Sequence, residues 1–333
     1  MITIESQDVE RKVLCTLKIL RDSNVPLGAR IIARRLKDDG IELSERAVRY
    51  HLKLMDEKGL TQLMGRDGRL ITEEGIEELR SALVQDKVGF AISKIELLAF
   101  RTDFDWRTQT GCIPINISFF AKDKFKRVLQ AMTPVFKSGL CAGDRVAVAE
   151  EGASLGELRI PPGKIGIATT CSIVVNGALL KAGIPIDSKF GGILQIRDHK
   201  PVRFVELIYY SGSSLDPSEV FIRGKMTSVG AAAKVGKGSI LANFRELPAV
   251  CMATAEEVIA GLKDAGLTAL LLMGNTSEAI CETPVERNRV GMILIGGLNP
   301  IAAIEEAGIE VENRAMCSVM EYQDMLRFDE LVQ

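Results

Sequence analysis

The chain has 333 residues, 47% of them apolar and 26% charged, a length and balance that predict a globular protein of two or three domains. Its formal net charge is only −2, so any affinity for nucleic acid must come from a local basic patch rather than the whole molecule. Seven cysteines without a CxxC pair, two histidines (His51 and His199), no signal-like leader and no membrane-length apolar run argue against a disulfide framework, a thiolate or multi-histidine metal site and a Ser/His/Asp triad, and place the chain in a reducing cytoplasm.

From Asp8, the spacing of Val9, Val13, Leu17 and Leu20 predicts an amphipathic first helix, closed by Asn24, Pro26 and Gly28. Ala29, Ile32, Ala33 and Leu36 then form one stripe of a short, basic second helix that ends at Asp38, Asp39 and Gly40. Ser44 is placed to cap a third helix with Val48, Leu52 and Met55 on its apolar face and Gly59 at its end. Arg46, Arg49, Tyr50 and Lys53 gather on the opposite face, and His51 falls toward the packed side. Strand-like residues 60–64 and 70–72 flank a Gly65-Arg66-Asp67-Gly68-Arg69 turn, after which Thr72 caps a last helix over residues 73–83.

Three helices, a hairpin and a helix in that order describe a winged helix-turn-helix over residues 1–84. A run of charges alone is usually a solvated face. Here a capped basic helix follows a short helix at turn distance and precedes an Arg-tipped hairpin, which predicts a DNA reader. The expected DNA-binding residues are Ser44, Arg46, Arg49, Tyr50, Lys53, Arg66 and Arg69, with Lys53, Arg66 and Arg69 on phosphates and the helix arginines available to guanine.

Residues 85–111 form a connection or the start of the next domain, with 92–100 as a strand or short helix and polar 101–109 as the expected linker. Residues 112–333 contain a duplication. GIATTCSIVVNGALLKAGIPIDSK from Gly166 aligns without gaps with GMILIGGLNPIAAIEEAGIEVENR from Gly291, at a constant offset of 125. Each copy reads as strand, turn, helix and a Gly-Ile entry into another strand, giving halves at about 112–222 and 235–333. Helices are also expected over 123–137 and 254–265, the latter with Thr254 as cap and Glu257 at the capping-box position.

The fold class is therefore mixed α+β / α/β, a winged helix-turn-helix joined to an internally duplicated α/β effector domain. Two halves about a pseudo-twofold axis leave a cleft suited to a small molecule. At the strand-to-helix turns, Thr169, Thr170, Cys171, Ser172 and Asn176 of the first copy and Gly296, Gly297 and Asn299 of the second are the expected effector-binding residues, because free amides and a helix dipole favour an anion. Gly191-Gly192 and residues 224–228 add backbone donors nearby in sequence. Small residues at such turns also serve packing alone. Cys171 has no histidine partner in its repeat, so no catalytic residue, metal or cofactor is expected.

A DNA reader joined to a cleft-forming domain implies a ligand-controlled, paired regulator on an inverted repeat. The alternatives are a regulator of another pathway, an enzyme with an autoregulatory DNA-binding domain, or a scaffold for other regulators. The runs SERAVRYHLKLMDEKGL, ITEEG, GKIGIATTCSIVVNGALLKAGIP, FGGILQIRDHKPVRFVELI, GSSLDPSEVFIRGKMTSV and ILANFRELPA resemble the NrpR family of nitrogen-responsive repressors of methanogenic and related archaea, over nearly the whole chain. The resemblance implies a dimeric repressor of nitrogen-fixation and ammonium-assimilation genes that binds palindromic DNA operators and takes 2-oxoglutarate as its inducer. It further implies one effector domain where some members have two, and either a homodimer or a partnership with a second NrpR-type protein.

Overall fold

The structure, a computed structural model, describes residues 4–23, 25–81 and 88–332. It divides into two compact units, the described residues up to Val88 with Glu157–Arg159, and Gly89–Gly156 with Ile160 onward. Asn24, the side chain of Val9 and the end of the last helix expected before residue 84 lie outside the described residues.

The first unit contains α1 (Ile4–Ser23), α2 (Ala29–Asp38), α3 (Glu45–Glu57), β1 (Thr61–Leu63), β2 (Arg69–Ile71) and α4 (Glu73–Ser81), the order of a winged helix-turn-helix. Leu17, Leu20, Ile32, Leu36, Val48, Leu52 and Met55 interlock as its core, where truncating one leucine to alanine costs about 2–5 kcal/mol. Ser44 caps α3 by accepting from the Ala47 amide at 3.2 Å, and Thr72 caps α4 from the Gly75 amide at 3.0 Å. The wing pairs Thr61 with Ile71 and Leu63 with Arg69, and Leu27 bridges Arg69 from the other side. Gly68 is required there. Its φ is +115°, and a Cβ would lie 2.2 Å from the Leu27 carbonyl carbon.

The second unit begins with α5 (Phe90–Arg101), β3 (Cys112–Ala121), α6 (Phe125–Lys137), β4 (Arg145–Glu150), short β5 (Ser154–Leu155), β7 (Lys164–Thr170) and α7 (Ile173–Lys181); the short β6 (Leu158–Arg159), between β5 and β7 in the chain, belongs to the first unit. It continues with β8 (Asp187–Arg197), β9 (Lys200–Tyr209), α8 (Pro217–Arg223), α9 (Val229–Val235), β10 (Gly238–Pro248) and α10 (Met252–Asp264). The last elements are β11 (Leu270–Thr276), β12 (Arg289–Ile295), α11 (Asn299–Glu306), β13 (Glu312–Glu321), β14 (Leu326–Arg327) and α12 (Phe328–Leu331).

Two five-stranded sheets result, ordered β13-β3-β7-β4-β14 and β11-β12-β10-β8-β9. Their recorded pairings are antiparallel, so the helices cover sheets built without the parallel crossovers of a doubly wound fold. The repeat is visible as β7-α7 and β12-α11. The halves are not separate bodies, because each hands its last two strands to the other's sheet: β8 and β9 extend the sheet of β10, and β13 and β14 form the edges of the sheet of β3, β7 and β4. Local periodicity cannot register such an exchange, since a strand's face pattern is the same in either sheet.

Of the two readings open for residues 92–100, strand or short helix, the helix holds: they lie in α5, whose Ala91, Ile95, Leu98 and Ala99 are buried. Two further expectations are corrected. Residues 101–109 are no free linker: Thr102 and Phe104 are buried, and the Phe104 ring packs 4.8 Å from that of Tyr322. Thr254 does not cap its helix, since α10 starts at Met252 after a 3-10 turn over Ala249–Cys251.

Candidate functional sites

On α3 the burial of Val48, Leu52 and Met55 turns Arg46, Arg49, Tyr50 and Lys53 outward, all four exposed. Arg49 pairs with Glu45 one turn earlier, and Lys53 stands 3.9 Å from Glu57. Such exposed pairs are worth under about 1 kcal/mol and yield readily to a phosphate or base edge. Arg66 is exposed at the wing tip. Exposed Arg30, Arg34 and Lys37, one turn apart along α2, add a second basic row that the sequence reading left unassigned beyond noting a basic helix.

Arg69 differs from the others. Its Nε donates to Asp56 at 2.7 Å, and its side chain is 17% exposed. Asp56 also accepts from Thr61 Oγ1 at 2.6 Å, so Arg69 ties the wing to α3 and is not the free phosphate contact expected of it. Ser44 acts through its cap. His51 is half-buried; desolvation, followed by the charge of Lys12, lowers its pKa, in keeping with a packing role.

In the second unit the two strand-to-helix turns meet. Gly297 approaches so closely that a Cβ would stand 2.6 Å from the Thr170 carbonyl oxygen, and Thr169 Oγ1 donates to Gly297 O at 3.3 Å. Several turn amides expected to be free are in use: Cys171 N donates to Pro114 O, Val174 N to Cys171 O, Gly296 N to Leu241 O and Asn299 N to Gly296 O. The anion argument based on open amides therefore fails at these positions.

Beside these turns lies a cavity of about 20 Å³, room for a water-sized group. Of the eight expected effector residues, Cys171, Ser172 and Gly297 line it. The other five do other work. Thr169 makes the bond just given, and Thr170 Oγ1 donates to Arg145 O at 3.3 Å. Asn176 Nδ2 donates to Ser188 Oγ at 3.1 Å. Gly296 makes room for Leu241. Asn299 pins both the N–H and the carbonyl of Leu241, at 2.8 and 3.1 Å. Gly191 and Gly192 lie inside β8, where they admit Pro217 and the Phe204 ring.

The cavity's polar wall comes from strands the sequence reading passed over. Asn243 Nδ2 donates to Ser172 Oγ at 3.1 Å, and Tyr210 OH donates to Asn243 Oδ1. Arg245, two residues along β10, is 1% exposed, and its Nε and Nη1 have no hydrogen-bond partner among the described residues. Asn116 Nδ2, from the other half, is likewise buried without a partner. Asn243 sits opposite Gly191 and Asn116 accepts from Met316 N at 2.9 Å; Gly191 and Met316 are 125 residues apart, so the two asparagines are repeat mates across the pseudo-twofold. The available signal was a charge inside the apolar run ILANFRELP, where Leu241, Asn243 and Arg245 share one face.

Three unpartnered donors on residues that line one cavity, two of them on a cation, have the chemistry that an anion would satisfy. Asp216 at the cavity edge has its carboxyl pushed up to about 6, by burial first and then by the charge of Glu219. Burial pushes the Cys171 thiol up to about 11, which removes thiolate character and with it the nucleophile reading. The acidic trio Asp187, Glu246 and Glu286 is an ion-pair network rather than a metal centre, because Lys189 Nζ sits 2.7, 3.5 and 2.6 Å from its three members.

Residues 88–327 match the family described as NrpR regulatory domains NRD1 and 2, and residues 14–79 match the Ribonuclease R winged-helix domain. The Global nitrogen regulator NrpRI of Methanosarcina mazei is 41% identical over 95% of this chain and 98% of its own length. The Global nitrogen regulator NrpR of Methanocaldococcus jannaschii is 34% identical over 96% of this chain, and that of Methanococcus maripaludis 33% over 93%. The chain spans about half the length of these last two, 55% and 54% respectively. Among solved structures, a nitrogen repressor-like protein from Methanococcus jannaschii superposes with a TM-score of 0.62 at 28% identity, covering 72% of this chain and 99% of that one. Among the described residues no helix is long and apolar enough to cross a membrane.

Proposed function

Since the chain belongs to the NrpR family, and the relatives above are named nitrogen regulators, we propose that it is a cytoplasmic, dimeric repressor of nitrogen-assimilation genes, released from a palindromic operator by 2-oxoglutarate. Arg46, Arg49 and Tyr50 enter the major groove, while Lys53 and Arg66 contact phosphate. Effector binding uses the cavity walled by Arg245, Asn116, Asn243, Ser172 and Gly297, in place of the wider turn set expected from sequence. The protein is a regulator without catalysis of its own.

The observation that carries the effector reading is Arg245, a buried guanidinium with unpartnered Nε and Nη1. A buried cation left in that state costs several kcal/mol unless an anion meets it. One carboxylate of 2-oxoglutarate satisfies Arg245 and the Asn116 amide. The molecule is larger than the present cavity, so binding displaces part of the wall. The test begins by selecting an operator from random duplexes and then follows the mobility shift on it. Millimolar 2-oxoglutarate is expected to weaken the shift, and an affinity unmoved by it and by related 2-oxoacids refutes the sensor reading.

A further inference from the structure

The parts of the cavity wall differ in stiffness. β3 and β10 are interior strands with ladders on both sides, whereas β13 leaves its ladder between Arg314, opposite Ile117, and Ser318, opposite Ile115. Residues 315–317 bulge there against the single Asn116, and Met316 takes φ +49°, a left-handed conformation that a bulky side chain holds only under strain. Ala315 and Met316 line the cavity.

Side chains from three elements hold this bulge. Lys94 Nζ of α5 donates to Ala315 O at 2.9 Å, Glu219 of α8 accepts from Ala315 N at 2.8 Å, and Asn116 of β3 accepts from Met316 N at 2.9 Å. Asn116 is also one of the unpartnered donors facing the cavity. An effector larger than the cavity therefore meets its compliant wall at the bulge, and the Asn116 amide that binds the anion is the amide that fixes Met316.

α5 is one of the elements that join this wall to the first unit along the chain, which also crosses between the units on either side of Glu157–Arg159. It starts at Phe90 behind Gly89, whose φ of +82° sets the turn, and the first unit ends at Val88. Ile95, the residue after Lys94 on α5, lines the cavity itself. We propose that Lys94 is the positioning residue that couples effector binding to operator affinity: displacement of the β13 bulge shifts Ala315 O, and Lys94 carries the shift into α5, the helix that follows Val88 in the chain. This rests on the cavity being the effector site. A strained bulge with two positions is the bistable element that coupling between distant sites requires.

The experiment measures two quantities in the full chain: 2-oxoglutarate affinity by calorimetry without DNA, and operator affinity with and without saturating 2-oxoglutarate. Coupling in the native chain is expected as a roughly 5- to 150-fold change in operator affinity. Lys94→Met, which keeps the stem and removes the donor together with a charge that faces the cavity, is expected to weaken 2-oxoglutarate binding without abolishing it and to keep ligand-free operator affinity within about threefold, while at saturating ligand that change collapses toward one. Lys94→Arg, which restores a donor, is expected to recover it. A Lys94→Met chain with undiminished coupling overturns the proposal, as does one that has lost 2-oxoglutarate binding, since Lys94 then serves binding or folding. If native protein binds 2-oxoglutarate yet its operator affinity does not respond, coupling alone is refuted; if it binds none, the effector reading fails and this inference with it.

Discussion

Replacing Arg245 with methionine separates a ligand anchor from a structural residue, because the two roles give opposite signs. Among the described residues, Nε and Nη1 of Arg245 are buried without partners, and each group left unsatisfied costs about 1–3 kcal/mol. Burial also pulls the Arg245 pKa below its ordinary value, a sign that its surroundings disfavour the charge. Replacing a poorly compensated buried charge by an apolar side chain of similar length is worth about 1–4 kcal/mol. For a domain of this size each kcal/mol moves Tm by about 2–4 °C, so Arg245→Met is expected to raise the ligand-free Tm by at least about 2 °C. The same change removes a charge-assisted pair to the effector, costing about 2–5 kcal/mol of binding, or roughly 30- to 4,000-fold in Kd. Differential scanning fluorimetry with and without 2-oxoglutarate reads both effects at once. A variant whose ligand-free Tm falls while its ligand-induced rise persists shows Arg245 to be structural and refutes the reasoning.

The arginines of the winged helix divide by function. Arg49→Ala is expected to cost about 1–3 kcal/mol of specific operator binding with an unchanged urea unfolding midpoint, because its only recorded partner is the exposed Glu45 one turn away. Arg69→Ala is expected to lower the unfolding free energy of the first unit by about 1–3 kcal/mol, since Asp56 then loses its partner under the wing; an operator defect without lost stability contradicts that assignment. In the cavity, pH acts through Asp216, whose carboxyl stands at about 6 against an ordinary 3.8. The folded state holds this proton longer than the unfolded chain, so the stability this group contributes is present below about pH 4 and lost as pH rises through about 6. Protonation also removes a negative charge from a site faced by Arg245 of β10, Lys94 of α5, Glu219 of α8, Tyr210 and Cys171. Calorimetric affinity for 2-oxoglutarate is expected to rise as pH falls from about 7.5 to about 5.5, and Asp216→Asn is expected to flatten that slope. A native slope of the opposite sign excludes Asp216 as the controlling group.

Local chemistry was sufficient for the winged helix. Ser44 as cap, the Val48, Leu52 and Met55 stripe and the glycines of the wing act through neighbours a few residues away, so their meaning is contained in short windows of sequence. The duplication was legible for the same reason, and it led correctly to the two strand-to-helix turns at Thr170 and Gly296. Arg69 was misread because its partner, Asp56, lies thirteen residues back, where no periodicity connects the two. The polar cavity was beyond local reading. Arg245, Asn116, Asn243 and Met316 come from β10, β3 and β13, and they converge only because the two halves exchange their last strands. Amino-acid order alone determined a DNA reader followed by a doubled α/β unit. Tertiary structure decided which buried polar groups would be left without partners, because hydrogen-bond satisfaction depends on what the rest of the chain brings to each side chain.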